Sequence, residues 1–179
     1  MMAKMTHGWL LGWVAWVLSC GTAPEDSGVL RRVLWSQSDV SHNNYRIPAL
    51  IVTKDNTLLA FAEGREAGDA GDIDLLVRRS EDNGNSWSDQ IVVWDQGTNS
   101  CGNPCPVIDE RTGRIVLLMT WNLGSDAEGD IIRKQGDSTR VPYVTYSDDD
   151  GLTWSTPKSL YQKGKDPQWG WYATGPGVG

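Results

Sequence analysis

The feature of this sequence that most constrains its fold is an octapeptide pattern that occurs twice. Residues 80–87 read SEDNGNSW and residues 147–154 read SDDDGLTW, so both copies fit S-x-D-x-G-x-[ST]-W. In such a segment Asp and Ser side chains bond local backbone N–H groups, Gly takes backbone angles closed to other residues, and Trp packs beneath the turn. Each copy is predicted to close a β-hairpin, which gives a structural role to eight residues: Ser80, Asp82, Gly84, Trp87, Ser147, Asp149, Gly151 and Trp154.

Short apolar stretches alternate with turn signals along the rest of the chain. They have the length of strands, and none shows a sustained period of 3.6 residues. A content of 20 Gly and 10 Trp against one Phe also favours short strands joined by tight turns. We predict an all-β fold with strands at residues 46–52, 57–63, 73–80, 90–94, 106–108, 114–121 and 140–146.

The charge of the chain excludes one class of partner and leaves another open. Its formal net charge is -7, whereas a nucleic-acid surface needs a net-basic face, so no nucleic-acid partner is predicted. An anionic small ligand needs only a few convergent arginines in a cleft. His42 is the only histidine outside the first 20 residues, so neither a His-based metal centre nor a Ser-His-Asp triad is predicted, and no cofactor is expected.

The N-terminal segment has the pattern of an export signal. Lys4 precedes an apolar run at residues 9–18 that is too short to span a bilayer, so residues 1–20 are predicted to be a signal peptide. Residues 17–20 resemble a bacterial lipobox, in which a lipidated Cys20 would tether the protein to a membrane. An ordinary cleavage site within residues 19–23 is the alternative, and both predict a periplasmic, cell-surface or secreted protein. Residues 21–28 are then a linker, and residues 29–179 the folded domain.

Two further cysteines, Cys101 and Cys105, flank the sequence Gly-Asn-Pro. An exported location permits a disulfide between them without requiring one. The preferred interpretation is that they are two small residues packing a turn, because Cys behaves as a small buried hydrophobe.

The duplicated octapeptide resembles the Asp box of sialidases and related β-propellers. The serines of the two copies are 67 residues apart, more than a typical blade of ~40–50 residues, which fits one blade plus an inserted loop. Other segments follow the order of glycoside hydrolase family 33: residues 45–50 (YRIPAL), 63–65 (EGR), 69–75, 78–80, 103–106, 119–122 and 171–177. This resemblance implies a six-bladed β-propeller, of which this chain would form the first two to three blades.

The same resemblance assigns roles to individual residues. Arg46 would be the first of three arginines that clamp the anomeric carboxylate of sialic acid, since a guanidinium fork binds a carboxylate bidentately. Arg65 would contact the ring substituents, and Asp69 would be the general acid. Asp72 is the alternative acid, and Asn103 is either a residue lining the N-acetyl pocket or simply a turn-forming residue.

The activity implied by the resemblance is removal of terminal sialic acid from glycans, with retention and without a cofactor. Sialidases use a Tyr nucleophile. That Tyr, its Glu partner and two more arginines would come from later blades, so we expect a chain of these 179 residues to be inactive alone. The alternatives are a non-catalytic Asp-box propeller that binds glycans or protein partners, and a trans-sialidase.

Overall fold

The structure, a computed structural model, describes residues 31–38 and 41–179. Eight strands form one sheet in the compact unit that extends from residue 32 to residue 179. Two short helices, α1 (Glu128–Arg133) and α2 (Tyr161–Gly164), are the only helices among these described residues. The strands are β1 (Asn44–Val52), β2 (Leu58–Arg65), β3 (Ile73–Ser80), β4 (Ile91–Trp94), β5 (Ser100–Ile108), β6 (Ile115–Asn122), β7 (Val141–Ser147) and β8 (Lys158–Ser159).

The sheet consists of two four-stranded antiparallel units, which we call blade 1 (β1–β4) and blade 2 (β5–β8). Within each blade, consecutive strands pair through short connections. A single parallel pair, Ile73 with Ser100, joins β3 to β5 and so links the blades. The predicted all-β fold is therefore confirmed, and the strand predictions hold to within a few residues, except that β5 begins at Ser100 instead of residue 106.

The blades differ mainly in one loop. Residues 66–72 join β2 to β3, whereas the longer segment of residues 123–140, which contains α1, joins β6 to β7. This segment is the insertion that the spacing of the octapeptides predicted. Helix α1 was not predicted, because a helix of six residues is too short to show a helical periodicity in the sequence.

The hydrophobic core lies where the two blades face each other. Alternate residues of the inner strands point into it, so that Phe61, Leu75, Leu117 and other strand residues are fully buried. Aromatic side chains cross between the blades, with ring centroids 5.8 Å apart for Phe61 and Trp154. Packing between the blades thus helps to fix how the ends of the strands meet.

The first strand of each blade contains the same distortion. The pairing register shifts between Arg46 and Ala49 in β1 and between Gly102 and Cys105 in β5. In both strands the residue before a proline has a positive φ, 57° at Ile47 and 56° at Asn103. A β-branched residue seldom adopts this conformation, and such strain is concentrated at functional sites.

The N-terminal predictions lie outside the described residues. These include the signal peptide of residues 1–20, the lipidated Cys20 and the linker of residues 21–28. In the described part of the chain, no helix has the length and apolar character needed to cross a membrane.

Candidate functional site

The sequence-predicted site residues collect at one edge of the sheet, which we call the arginine edge. It is formed by the start of β1, the end of β2, the loop of residues 66–72, the start of β5, the end of β6 and Arg140 just before β7. Because the strands within each blade are antiparallel while β3 and β5 run parallel, these starts and ends lie at the same side of the sheet. The two octapeptides follow the ends of β3 and β7 and occupy the opposite side, the box edge.

Arg46 and Arg65 converge on a single carboxylate oxygen. The Nη1 atom of each guanidinium donates a hydrogen bond to Oδ1 of Asp69. Arg65 is 6% exposed in its side chain, whereas Arg46 and Asp69 are 54% and 69% exposed. The hydrogen bond from Arg65 lowers the pKa of Asp69, burial opposes this shift, and the charges of Arg46 and Arg65 reinforce it. Asp69 is therefore ionised and bound to both arginines in this state.

Glu63, which the sequence analysis did not select, connects the two blades at this edge. Its buried carboxylate accepts hydrogen bonds from Nε (2.8 Å) and Nη2 of Arg65 through Oε2. Its other oxygen accepts the backbone N–H of Asn103 in blade 2, at 2.7 Å. A Cβ atom at residue 102 would lie 2.1 Å from Oε1 of Glu63, so Gly102 is required for this approach.

Arg140 is a second residue that the sequence analysis missed. It is 6% exposed and donates to three neutral oxygens: Oγ1 of Thr120 at 3.0 Å, Oδ1 of Asn122 at 2.6 Å and Oδ1 of Asn103 at 2.6 Å. Its guanidinium also lies 4.4 Å from the ring centroid of Trp171. Burial lowers the pKa of Arg140 to about 10, which leaves it charged at neutral pH.

Two other carboxylates, the alternative acid Asp72 and its neighbour Asp74, lie on the same edge but have other surroundings. Burial, with the charges of Asp95 and Glu66, raises the pKa of Asp72, and His42 opposes this shift. Asp74 pairs with His42 at 3.1 Å, and burial raises the pKa of Asp74 to about 6. His42 packs over Gly64, where a Cβ atom would lie 2.7 Å from its ring, so the pair ties the segment before β1 to β3.

Cys101 and Cys105 are both free thiols. They lie along β5 and not in a turn, which corrects the sequence interpretation: the Gly-Asn-Pro sequence between them forms the distortion inside that strand. Cys101 is fully buried, and this burial raises the pKa of its thiol, so it packs in the core as a small hydrophobe. No group of three or more His, Cys, Asp or Glu side chains suited to a metal ion occurs among the residues that the structure describes.

At the box edge, the first octapeptide folds as a self-contained turn. Asp82 accepts the Ser80 hydroxyl at 2.9 Å and the backbone N–H and hydroxyl of Ser86 at 2.8 and 2.6 Å. These bonds, led by the one from the Ser86 hydroxyl, lower the pKa of Asp82 to about 2. Ser80 accepts the N–H of Gly84 at 2.8 Å, and the indole of Trp87 donates to the carbonyl of Gly84 at 3.2 Å.

The second octapeptide repeats the bonds of Ser and Asp but not the bond from the indole, and its Trp packs differently. Asp149 accepts the Ser147 hydroxyl at 2.8 Å and the N–H and hydroxyl of Thr153. Burial raises the pKa of Asp149, but these bonds outweigh it and the net shift is downward. Its Trp154 packs on Phe61 of blade 1, and a Cβ atom at Gly151 would lie 2.9 Å from a methyl group of Leu59.

Comparisons with known proteins identify sialidases as similar to this chain. Residues 56–179 match the BNR repeat-like domain. The chain is 36% identical over 159 residues to an exo-alpha-sialidase of Aspergillus fumigatus, covering 78% of this chain and 39% of that protein. It is 35% identical over 153 residues to a sialidase of Micromonospora viridifaciens, covering 76% of this chain and 23% of that one.

A solved structure supports the same comparison. The Hadza microbial sialidase Hz136 superposes with a TM-score of 0.66 at 28% identity, over 77% of this chain and 30% of that chain. The predicted sialidase-type β-propeller class is thereby confirmed, with the described residues forming an open sheet of two blades. The chain spans about two fifths or less of the length of these relatives.

Proposed function

This chain belongs to the BNR repeat-like domain family, and on that premise we propose that the protein is an exo-α-sialidase, a glycoside hydrolase that removes terminal sialic acid from glycans. The observation that carries the proposal is the convergence of Arg46 and Arg65 on the Asp69 carboxylate. Two guanidinium groups that already hold one carboxylate oxygen form a site suited to a carboxylate ligand. The relatives are named as sialidases, which supports sialic acid glycosides as the class of substrate.

The proposed reaction begins with exchange of one carboxylate for another. The carboxylate of sialic acid binds Arg46 in place of Asp69. The side chain of Arg46 is 54% exposed and therefore accessible to a ligand. Asp69, displaced from both arginines, loses the hydrogen bond from Arg65 that is the main cause of its lowered pKa, together with the charge of Arg46, and its pKa rises. A carboxyl group with a raised pKa on an exposed loop is suited to protonate the leaving glycoside oxygen. Arg65 remains fixed by Glu63 throughout and orients the sugar ring.

The rest of the mechanism follows the family resemblance. The proposed nucleophile is a Tyr that attacks with the help of a Glu, and two further arginines complete the carboxylate clamp; we place all four outside these 179 residues. The reaction then retains the anomeric configuration, because two displacements occur at the same carbon. A purified product of residues 1–179 is expected to release no sialic acid, and release by it would contradict this part of the proposal.

The experiment that tests the proposal uses the full reading frame that contains this chain. The wild type should cleave a fluorogenic α-sialoside, and Asp69→Asn should lower kcat by about 10²–10⁴-fold, the usual contribution of a general acid. Asp72→Asn is the matched control and should retain activity within a few-fold. An inert wild type that still binds glycans would favour a non-catalytic propeller, and loss of activity only in the Asp72 variant would move the acid to that residue.

The product of the same reaction separates hydrolysis from transfer. NMR spectroscopy of the first product should show free α-sialic acid, as expected for retaining hydrolysis. A 2,7-anhydro sugar or a newly sialylated acceptor would instead identify a trans-sialidase.

We also propose that the protein is exported, on the basis of residues 1–20. Cell fractionation of the wild type and of Cys20→Ala tests whether a lipid holds it at a membrane. Release of the variant into the soluble fraction is expected for a lipoprotein, whereas identical behaviour of both would indicate an ordinary signal peptide.

A further inference from the structure

The inference concerns Arg140, a buried cation that no ion pair joins to a carboxylate of the described residues. All three of its hydrogen bonds go to neutral oxygens, at 2.6–3.0 Å. A buried guanidinium without a carboxylate in direct contact lowers the stability of the fold, because the desolvation of its charge is only partly compensated. Groups with such a cost are concentrated at functional sites. Asn103 connects Arg140 to the Glu63–Arg65 pair, because it bonds Glu63 through its backbone N–H and Arg140 through its side-chain oxygen.

The bond from Arg140 determines which end of the Asn103 side chain faces inwards. A carboxamide has an oxygen that only accepts and a nitrogen that only donates. Oδ1 of Asn103 receives two donors, Nη2 of Arg140 at 2.6 Å and the hydroxyl of Thr120 at 2.9 Å. The reversed orientation would place the amide nitrogen 2.6 Å from the guanidinium of Arg140, which can only donate, so it is the bond from Arg140 that selects the orientation.

This orientation leaves the amide nitrogen available to a ligand. Among the residues that the structure describes, Nδ2 of Asn103 has a single acceptor, the carbonyl of Gly175 at 3.5 Å, which is at the limit of a hydrogen bond. The backbone of the same residue is fixed on both sides, by Glu63 at its N–H and by the Thr174 hydroxyl at its carbonyl, at 2.7 and 2.8 Å. The half-buried side chain is therefore held at the arginine edge, with only one long hydrogen bond at its donor end.

We propose that Arg140 is a positioning residue that holds the Asn103 carboxamide so that its N–H donor, and not its oxygen, is offered to the ligand. The part of the ligand bound there must then present an acceptor, such as a carbonyl or hydroxyl oxygen of the sugar. This proposal rests on the proposed function for the identity of the ligand. The contact between Arg140 and Asn103 does not depend on it.

The first measurement needs no activity. In the full protein labelled with ¹⁵N, the side-chain amide resonances of Asn103 are identified by their loss in Asn103→Asp. Arg140→Met should shift these resonances and speed their exchange with water, because the carboxamide loses its strongest donor. Unchanged resonances in Arg140→Met would overturn the proposal, even in a protein without sialidase activity. If the Met variant does not fold, Arg140→Lys serves instead, since its ammonium cannot reproduce the fork that reaches all three oxygens.

The second measurement separates positioning from a merely structural role. Arg140→Met should raise KM for the sialoside by about tenfold, the value of one hydrogen bond, with kcat changed by less than about threefold. The double variant Arg140→Met/Asn103→Ala should have the same KM as the single variant Asn103→Ala, because Arg140 acts through Asn103. Multiplied effects in the double variant, or a lowered Tm with an unchanged KM, would overturn the proposal.

An Asn103→Asp variant sharpens the result. Arg140 and the Thr120 hydroxyl would donate to the new carboxylate, so the fold is expected to persist, while the donor offered to the ligand becomes an acceptor. We expect a KM raised by more than about tenfold at an unchanged or higher Tm. A KM equal to that of the wild type would show that no donor at this position binds the ligand.

Discussion

The two edges of the sheet satisfy their polar groups in different ways. At the box edge, the Ser and Asp that define each octapeptide close their hydrogen bonds within eight consecutive residues, as between Asp82 and Ser86. Longer-range bonds add to these local ones, as in the second turn, where Arg79 and Arg114 donate to Asp150 and Asp148. At the arginine edge, local bonds such as that of Arg65 with Glu63 are joined by bonds between residues far apart in the chain, such as Glu63 with Asn103 and Asn103 with Arg140. The turns of the box edge are thus built by local sequence, whereas the part of the arginine edge around Asn103 exists only after the two blades have packed together.

This difference predicts which substitutions should affect both stability and ligand binding. A change at the arginine edge should disturb stability and ligand binding together, because the same bonds hold the blades and orient the ligand-binding groups. A change at the box edge should lower stability and leave the ligand site intact. Three predictions test this contrast, in order of expected size.

The largest effect is expected from Glu63→Gln, which removes the carboxylate partner of a buried arginine. We expect a loss of about 4 kcal/mol in the free energy of unfolding, because Arg65 keeps only the exposed Asp69 as a counter-charge. Urea unfolding of the full protein measures it, and sialic acid affinity should fall in parallel. Gly102→Ala should act similarly by displacing Glu63, whereas Gly68→Ala, where a Cβ atom meets nothing within 4 Å, is the neutral control. Wild-type stability in both Glu63→Gln and Gly102→Ala would mean that this link does not hold the blades.

The next effect compares the two box tryptophans. Trp154→Ala should cost about 3 kcal/mol, because its ring packs on Phe61 and the core between the blades. Trp87→Ala should cost about 1 kcal/mol, since Trp87 contacts mainly its own turn. Both variants that fold should have a wild-type KM. Equal losses in the two variants would contradict the packing difference, and a raised KM in either would contradict the separation of the edges.

The smallest effect concerns pH and the pair of Asp74 with His42. The folded-state pKa of Asp74, about 6, exceeds its ordinary value of 3.8, so the folded state holds this proton more tightly than the unfolded state. Stability should therefore fall as pH rises from about 4 to 6, and Asp72 and Asp95, which also face this carboxyl, add to the effect. Asp74→Asn should flatten the dependence of Tm on pH in this window and raise stability at pH 7 by on the order of 1 kcal/mol. An unchanged pH dependence would show that Asp74 ionises at its ordinary pKa in the folded protein.

The two edges also differ in how far the sequence predicted them. The two octapeptides were found from the sequence because the residues that define the pattern also make its hydrogen bonds. Ser80 and Asp82, for example, bond partners within a few residues. Arg46, Arg65 and Asp69 were selected by resemblance, and the structure places them in contact; their catalytic and binding roles stay predictions. Arg140 gave no signal, because a single arginine at the start of a strand has the same sequence appearance as a surface residue.

The sequence by itself determined the strands, the turns and the repetition of a blade, because alternation and turn chemistry act over distances of a few residues. Only the tertiary structure decided which polar groups meet at the arginine edge. Gly102 brings blade 2 against Glu63, and residue 140 lies against Asn103 although a long inserted loop precedes it. These contacts depend on how two separately formed blades pack, and no short segment of sequence contains that information.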